Sequence, residues 1–334
     1  MPIPGVYLGK NVTKIAVNGF SGYKNIEGPL ILPENISEIE AGAFEGCRSI
    51  FGEIVIPAAV CKIGFSAFHG CDGISGFSVS KTNLNFSNDA DGILYNHNKT
   101  ELIQAFRDIQ GYVKIAEGVK TICDKAFYQC TKLKGDLAFP ESLESIGANS
   151  FRGAGYDGKL IIPFGMKKIG NEAFCDNYFN SIEFKCSPPD VGENVFGDYS
   201  GNIFVGDCNM ISLYANCQSL TRYSPYFYAK QIKISVVYDG EKGYGNVYVN
   251  SSSQDDYASM AKVNNAEVAT VKIDMIAKKG IFYAQYTPSY TSGVKSWSGA
   301  TAPNTSNKEN YAVSKYINIV PDFKSDIVVT IKFT

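Results

Sequence analysis

Phenylalanine returns along this chain at a nearly fixed interval. Phe20, Phe44, Phe68, Phe127, Phe151, Phe174 and Phe196 follow one another at spacings of 24, 24, 59, 24, 23 and 22 residues. Five residues before each stands an aliphatic side chain: Ile15, Ile39, Ile63, Ile122, Ile146, Ile169 and Val191. The residue directly before the Phe is small in six of the seven copies, Val195 being the exception. A further column reads Pro33, Pro57, Pro140 and Pro163, with Gly9 and Ala116 in the same place elsewhere. Alternating apolar residues precede it, such as Leu30 and Leu32 or Ile54 and Ile56. Columns that hold one register through so many copies confine the chain to a stack of similar units.

A single unit cannot stand alone. Its few core side chains do not offset the backbone entropy of ordering some two dozen residues. Stacked units share ladders and continuous side-chain files, and only then does folding become favourable. Each unit is predicted to run as a strand, a turn, a short strand or bend, and a compact turn of helix. In residues 53–71, Ile54-Val55-Ile56 alternates as a strand and Pro57 ends it. Val60 and Ile63 turn inward, and Ala67-Phe68 plugs the core. The interval of 59 contains an insertion at about 81–112, in which Ile93–Tyr95 and Leu102–Gln104 flank a polar tip and read as a β-hairpin. The hairpin either projects from the stack or replaces one coil.

The copies Ile54-Val-Ile-Pro followed by Ile63-Gly-Phe-Ser-Ala-Phe-His-Gly-Cys71, and Leu160-Ile-Ile-Pro followed by Ile169-Gly-Asn-Glu-Ala-Phe174, resemble the BspA-like leucine-rich repeat. That type is common in bacterial surface proteins, notably of Bacteroidetes. The hairpin insertion also resembles a recurrent feature of the family. The stretch from Pro188-Pro189 through Tyr214 resembles its C-terminal cap, taken here as about 186–228. The resemblance covers roughly residues 5–228. It implies an α+β leucine-rich-repeat solenoid, of short parallel strands and short helical turns, over residues 1–228. It also implies cell-surface or secreted display.

After residue 228 the period becomes two, as in Ile232, Ile234, Val236 and Tyr238. About seven short strands separated by polar loops, such as 250–256 and 301–307, predict a small all-β domain, sandwich or β-grasp-like, over 229–334. Gly245–Val249, Ile276–Gly280 and Val294–Gly299 loosely resemble bacterial internalin-type B repeats, which act as spacers or adhesion modules.

Composition narrows function further. The formal net charge is −2, so no long-range field draws the chain to nucleic acid or an anionic membrane. No apolar run is long enough to span a bilayer. The opening Met1-Pro2-Ile3-Pro4-Gly5 lacks the features of a signal peptide, so a signal or lipoprotein anchor is expected outside this chain. Nine Cys occur without any Cys-x-x-Cys, and Cys47, Cys71 and Cys130 share one repeat position, which points to buried thiols rather than a zinc site. Cys208 and Cys217 are close enough in sequence to close a local loop. Two His, His69 and His97, are too few for a His-based triad or metal cluster. Asn88–Gly92 reads as an Asx-type turn rather than a calcium loop. Glu53 and Asp136 share a repeat position in non-adjacent units and make no acid/base pair. No catalytic residue, cofactor or metal site is predicted, and the chain is expected not to be an enzyme.

Binding surfaces are the better target. The residue before each inward Ile is mixed in character: Lys14, Glu38, Lys62, Thr121, Ser145 and Lys168. A variable polar column of this kind belongs on an exposed face and is the candidate partner surface. The late aromatics, among them Tyr199, Tyr214 and Tyr226, are expected to cap the solenoid and join it to the next domain, the alternative being that some stack on a sugar or protein partner. The middle strand column, Ile31, Val55, Lys114, Ala138 and Ile161, is expected to pack against neighbouring coils. The expected role is non-enzymatic binding or adhesion as a monomer, with a host or bacterial surface protein as partner. The alternative is glycan capture within a bacterial polysaccharide-utilisation system.

Overall fold

The computed structural model describes the backbone throughout except for residues 1, 24, 26, 240–242, 252–256, 267–269, 277–281, 289–293, 299–314, 320–326 and 334. Side chains are described as far as residue 228, apart from 1, 24, 26 and 207–209. The chain divides into two compact units, Met1–Ile203 with Cys217–Tyr226, and Phe204–Asn216 with Phe227–Thr334.

The first unit is a solenoid whose coils are joined along three rows. In the first row, Lys14–Ile15, Glu38–Ile39 and Lys62–Ile63 form one parallel ladder. Glu101–Gln104, Thr121–Ile122, Ser145–Ile146, Lys168–Ile169 and Asp190–Val191 form a second. Strand alternation turns the first residue of each pair outward and the aliphatic one inward, and Ile15, Ile39, Ile122, Ile146, Ile169 and Val191 are buried. The second row pairs Phe51–Ile56 with Gly73–Val79, and later Leu137–Ala138 with Lys159–Ile162 and Ser181–Phe184.

The third row is where a turn of helix is expected, and the structure differs. Each coil instead carries overlapping turns, as in Ala43 N to Glu40 O, Glu45 N to Gly42 O and Cys47 N to Phe44 O. Left-handed backbone recurs two residues before the Phe, with φ between 52° and 62° at Asn18, Gly42, Ser66, Lys125, Asn149, Glu172 and Asn194. A right-handed helix cannot propagate through such a residue. The freed amides bond between coils: Phe127 N to Ser150 O is 2.7 Å and Phe151 N to Ala173 O is 2.8 Å.

The Phe side chains form internal files. Phe20, Phe44 and Phe68 stack at 5.3 and 5.6 Å. Phe127, Phe151, Phe174 and Phe196 stack at 4.9, 5.7 and 6.0 Å, and Tyr223 closes that file edge-on at 5.3 Å. A thiol column runs beside them. Cys47 Sγ donates to Phe20 O at 2.9 Å and Cys71 Sγ to Phe44 O at 3.1 Å; Asn177 does the same work with its amide on Phe151 O at 2.7 Å. These buried positions thus prefer small side chains that can donate a hydrogen bond.

Glycine follows the inward aliphatic residue at Gly64, Gly147, Gly170 and Gly192 because the preceding coil leaves no room for a side chain. A Cβ on Gly147 would lie 2.5 Å from Asp124 N, and one on Gly64 only 2.6 Å from the Glu40 carbonyl carbon.

The insertion replaces a coil rather than projecting from the stack. Phe86–Asn88, Leu94–Asn96 and Glu101–Gln104 form an antiparallel meander, and its last strand enters the second ladder beside Thr121–Ile122. Buried Asn83 roots it: its amide donates to Pro57 O and Val60 O at 2.8 and 3.0 Å, and its oxygen accepts from Asn85 N and Phe86 N at 2.8 and 2.9 Å. Asp89 makes the expected Asx turn, accepting from Asp91 N and Ile93 N at 3.0 and 2.9 Å.

The middle strand column packs only in part as expected: Ala138 and Ile161 are half-buried, but Lys114 is exposed. Ile31 and Val55 are 56% and 53% exposed. Leu30, Leu32, Ile54 and Ile56 already fill the interior from the same strands, so period two forces the residues between them outward.

In the second unit, Phe227–Asp239 pairs parallel with Ile327–Phe333 and antiparallel with Thr270–Ile276, and Val294–Ser298 adds to Ile327–Phe333. Gly243–Ser251 lies antiparallel between Tyr257–Ala266 and Phe282–Pro288, and Lys315–Ile319 extends that sheet. Of the loops expected here, 252–256 and 301–307 lie outside the described residues, as do 277–280 of the internalin-type segment.

Candidate functional site

The register of the first row decides which candidate residues meet. Lys14, Glu38 and Lys62 are direct ladder neighbours. So are Thr121, Ser145 and Lys168, and the column runs on to Glu101 at one end and Asp190 at the other. Those last two were missed in sequence because the insertion hid one copy and the other lies in the cap.

The two stretches differ in chemistry. Lys14 Nζ lies 3.0 Å from Glu38 and 2.6 Å from Glu40, and Lys62 Nζ lies 2.9 Å from Glu40. Glu40 is nearly enclosed, its side chain 11% exposed. Hydrogen bonds from Lys14 first, and then from Lys62, pull its carboxyl down to about 2. The Lys14 ammonium is correspondingly held above its ordinary value, chiefly by Glu40. This stretch is a closed lattice of two cations and two anions, already neutralised.

The second stretch is open. Thr121, Ser145 and Lys168 line a cleft of about 560 Å³, with Phe65 at its rim. Phe65 is 55% exposed, although the neighbouring Phe68 is buried. The Lys125 ammonium lies 5.4 Å from its ring centroid, a cation–π contact. Asp124 and Asn171 also line the cleft: Asp124 Oδ1 accepts from Ala148 N at 2.7 Å, which leaves its second oxygen and its charge in the cleft, and Asn171 Oδ1 accepts from Glu193 N at 2.9 Å. Lys168 has no ion-pair partner among the described residues. The cleft therefore offers an apolar ring, two hydroxyls and an available cation on a rigid ladder.

The tyrosines separate. Tyr214 is fully buried against Phe227, with ring centroids 5.6 Å apart, so it is withdrawn from any surface. A late aromatic reads as exposed only while its packing is unknown. Tyr199 is half-buried; its hydroxyl donates to Asn202 O at 3.0 Å and burial pushes its pKa up to about 12. Tyr226 is half-buried.

Several other titratable groups are held by burial or by local hydrogen bonds. Burial pushes the Cys71 and Cys130 thiols up to about 12 and those of Cys123 and Cys175 up to about 11. Such thiols are poor nucleophiles at neutral pH. Cys217 is a free thiol. His97 Nδ1 lies 3.1 Å from Asn83 O and helps hold the hairpin. Among the described residues no group of three or more His, Cys, Asp or Glu is placed to hold a metal ion, and no helix is long and apolar enough to cross a membrane.

Comparison with known proteins follows this geometry. A model for the BspA type leucine rich repeat region matches residues 2–112 and 104–224, in six copies. No curated protein matches the chain. Among solved structures, a leucine rich cell surface protein from Faecalibacterium prausnitzii is 24% identical over 55% of this chain and 52% of its own, with a TM-score of 0.36. The pneumococcal vaccine antigen PcpA is 15% identical over 65% and 86%, with a TM-score of 0.35. A leucine-rich repeat protein from Bacteroides ovatus is 20% identical over 61% and 63%, with a TM-score of 0.39. The chain spans about half the length of the F. prausnitzii protein.

Proposed function

The chain belongs to the BspA-type leucine-rich repeat family, and from that premise we propose that it is a non-enzymatic binding protein displayed at the cell surface or secreted, which holds a protein partner on its outward strand column. The observation that carries this reading is the open cleft of Thr121, Ser145 and Lys168 beside exposed Phe65. Phe65 offers a contact for an apolar side chain, and Lys168 for an acidic one. The hydroxyls of Thr121 and Ser145 both donate and accept, which suits an extended peptide segment. The ladder holds Thr121, Ser145 and Lys168 in fixed register, so little backbone entropy is lost there when a partner docks. Residues 229–334 are proposed as a separate all-β spacer or adhesion module.

The test is saturable binding of the full chain to immobilised extracellular-matrix proteins and to intact bacterial cells. A Ser145→Arg, Lys168→Glu double variant fills the cleft with a longer side chain and puts an anion where the Lys168 cation stood. Saturable binding by the parent, lost in the variant while the circular-dichroism melting curve is unchanged, is the expected result. Absence of saturable binding, or binding the variant retains in full, overturns the proposal.

A further inference from the structure

A second cleft opens where the two ladders of the first row fail to meet. The Lys62–Ile63 strand ends one sheet, and the insertion begins the next. The insertion's own turn is too short to rebuild the third row. Ala105 takes the rung that a Phe takes in other coils, donating to Ala126 O at 2.8 Å. Phe77 packs edge-on to Phe68 at 5.6 Å and Phe106 also lines the gap, yet no ring continues the stack, and a cleft of about 260 Å³ remains between the turn of the third coil and the turn that carries Phe127.

The lining is mixed: the rings of Phe68, Phe77 and Phe106 stand beside charged and amide groups that are only partly satisfied. Asp72 receives Arg107 Nη1 at 2.7 Å, and Arg48 Nε stands 3.8 Å from the same carboxylate. One carboxylate thus faces two guanidinium groups. With Lys125 and Glu45 added, the lining carries three cations and two anions. His69 packs edge-on to Tyr128 at 5.1 Å, and burial lowers its pKa, so its ring is neutral at pH 7. The His69 ring and the amides of Gln104 and Gln129 have no hydrogen-bond partner among the described residues. Imidazole and amide groups both donate and accept, as sugar hydroxyls do, whereas an ammonium only donates.

We propose that this cleft binds a small hydroxylated carboxylate the size of one hexuronate unit. Its carboxylate lies against Arg48 and Arg107, and its hydroxyls meet His69, Gln104 and Gln129. The volume falls just under the usual range of about 300–1,000 Å³ for ligand pockets, which admits one ring and not an oligomer buried along its length. The two clefts have separate linings, although the Lys125 ammonium also meets Phe65 of the strand-column cleft.

Isothermal titration of the full chain with glucuronate, glucose, glutamate and inorganic phosphate tests the assignment. Saturable glucuronate binding is expected, with glucose and glutamate weaker by at least about tenfold and phosphate failing to compete. Arg48→Gln, at a side chain 78% exposed and so tolerated by the fold, is expected to weaken glucuronate about tenfold while Ser145→Arg leaves it unchanged. Gln104→Ala is expected to weaken it too. No saturable glucuronate binding, equal binding of glucose or glutamate, or phosphate binding as tightly (a bare anion site) overturns the proposal. So does an unaltered affinity in a folded Arg48→Gln protein.

Discussion

Truncating Phe151 to Ala removes a ring from the middle of the second file. The side chain is fully buried, stacked on Phe127 at 4.9 Å and Phe174 at 5.7 Å, with Phe139 edge-on at 5.6 Å. Phe→Ala changes in cores cost about 3–5 kcal/mol, and the value depends on how far the site can collapse. Collapse is limited here because the flanking rings sit on coils tied by backbone bonds at 2.7 and 2.8 Å. The upper part of the range, about 4–5 kcal/mol, is therefore expected. Phe20 supplies the internal comparison. It is half-buried and has one stacked neighbour, Phe44 at 5.3 Å, so Phe20→Ala is expected to cost about 1–2 kcal/mol. Urea unfolding followed by circular dichroism measures both, and native-state hydrogen exchange locates the damage. Nearest-neighbour coupling predicts lost protection first in the coils of Phe127 and Phe174. A cost below about 1 kcal/mol at Phe151, or an equal cost at Phe20, would refute the shared internal file as the source of stability.

Gly147→Ala forces a methyl into the Asp124 backbone of the preceding coil and is expected to lower stability by about 1–3 kcal/mol, read from the melting temperature. Asn83→Ala strips Pro57 O, Val60 O and two amides of their partner at once, and about 2–3 kcal/mol should be lost, with hydrogen exchange rising first in residues 83–104. The carboxyl of Glu40 is held at about 2 in the folded chain against an ordinary 4.5, so its contribution is complete above about pH 4.5 and fades as pH falls towards 2. Melting curves from pH 6 to pH 2 should show this decline, and Glu40→Gln should flatten it.

How far the sequence reveals the molecule depends on whether a position is set by identity or by geometry. The Phe file and the inward aliphatic column repeat as residue types, so they can be read directly. The same is true of Thr121, Ser145 and Lys168, which follow from register alone. The left-handed column is only half legible. Asn18, Gly42, Asn149 and Asn194 are residues that tolerate positive φ, but Ser66, Lys125 and Glu172 occupy the same conformation and give no sign of it. Here the stack imposes the backbone, and the side chain accepts it. Phe65 lies outside the repeating columns, so nothing in the repeat marks its exposure, and Tyr214, a candidate for surface stacking, is enclosed by packing instead. The helical turn expected in each coil failed for the same reason as the left-handed column: local propensity yields to bonds between coils.

Those constraints also explain why one row is left free to vary. At the Phe position the side chain must fill the file. At the thiol position it must be small and able to donate. At Gly147 and Gly170 the next backbone excludes any side chain. The outward residue of each first-row strand pair is bound by none of these. It neither enters the core nor meets a neighbouring backbone, so it is free to vary in charge and size without cost to the stack. That freedom takes two forms here: Lys14 and Lys62 close on Glu40, with Glu38 paired to Lys14, while Thr121, Ser145 and Lys168 remain open. The insertion falls between them. By replacing a coil with a meander whose turn is too short, it ends the first ladder and starts the second. The same mismatch in length that divides the strand column opens the polar cleft beside His69 and Arg107. A chain of equal coils would have neither feature, so the part of the sequence that departs from the repeat is the part that gives this solenoid its clefts.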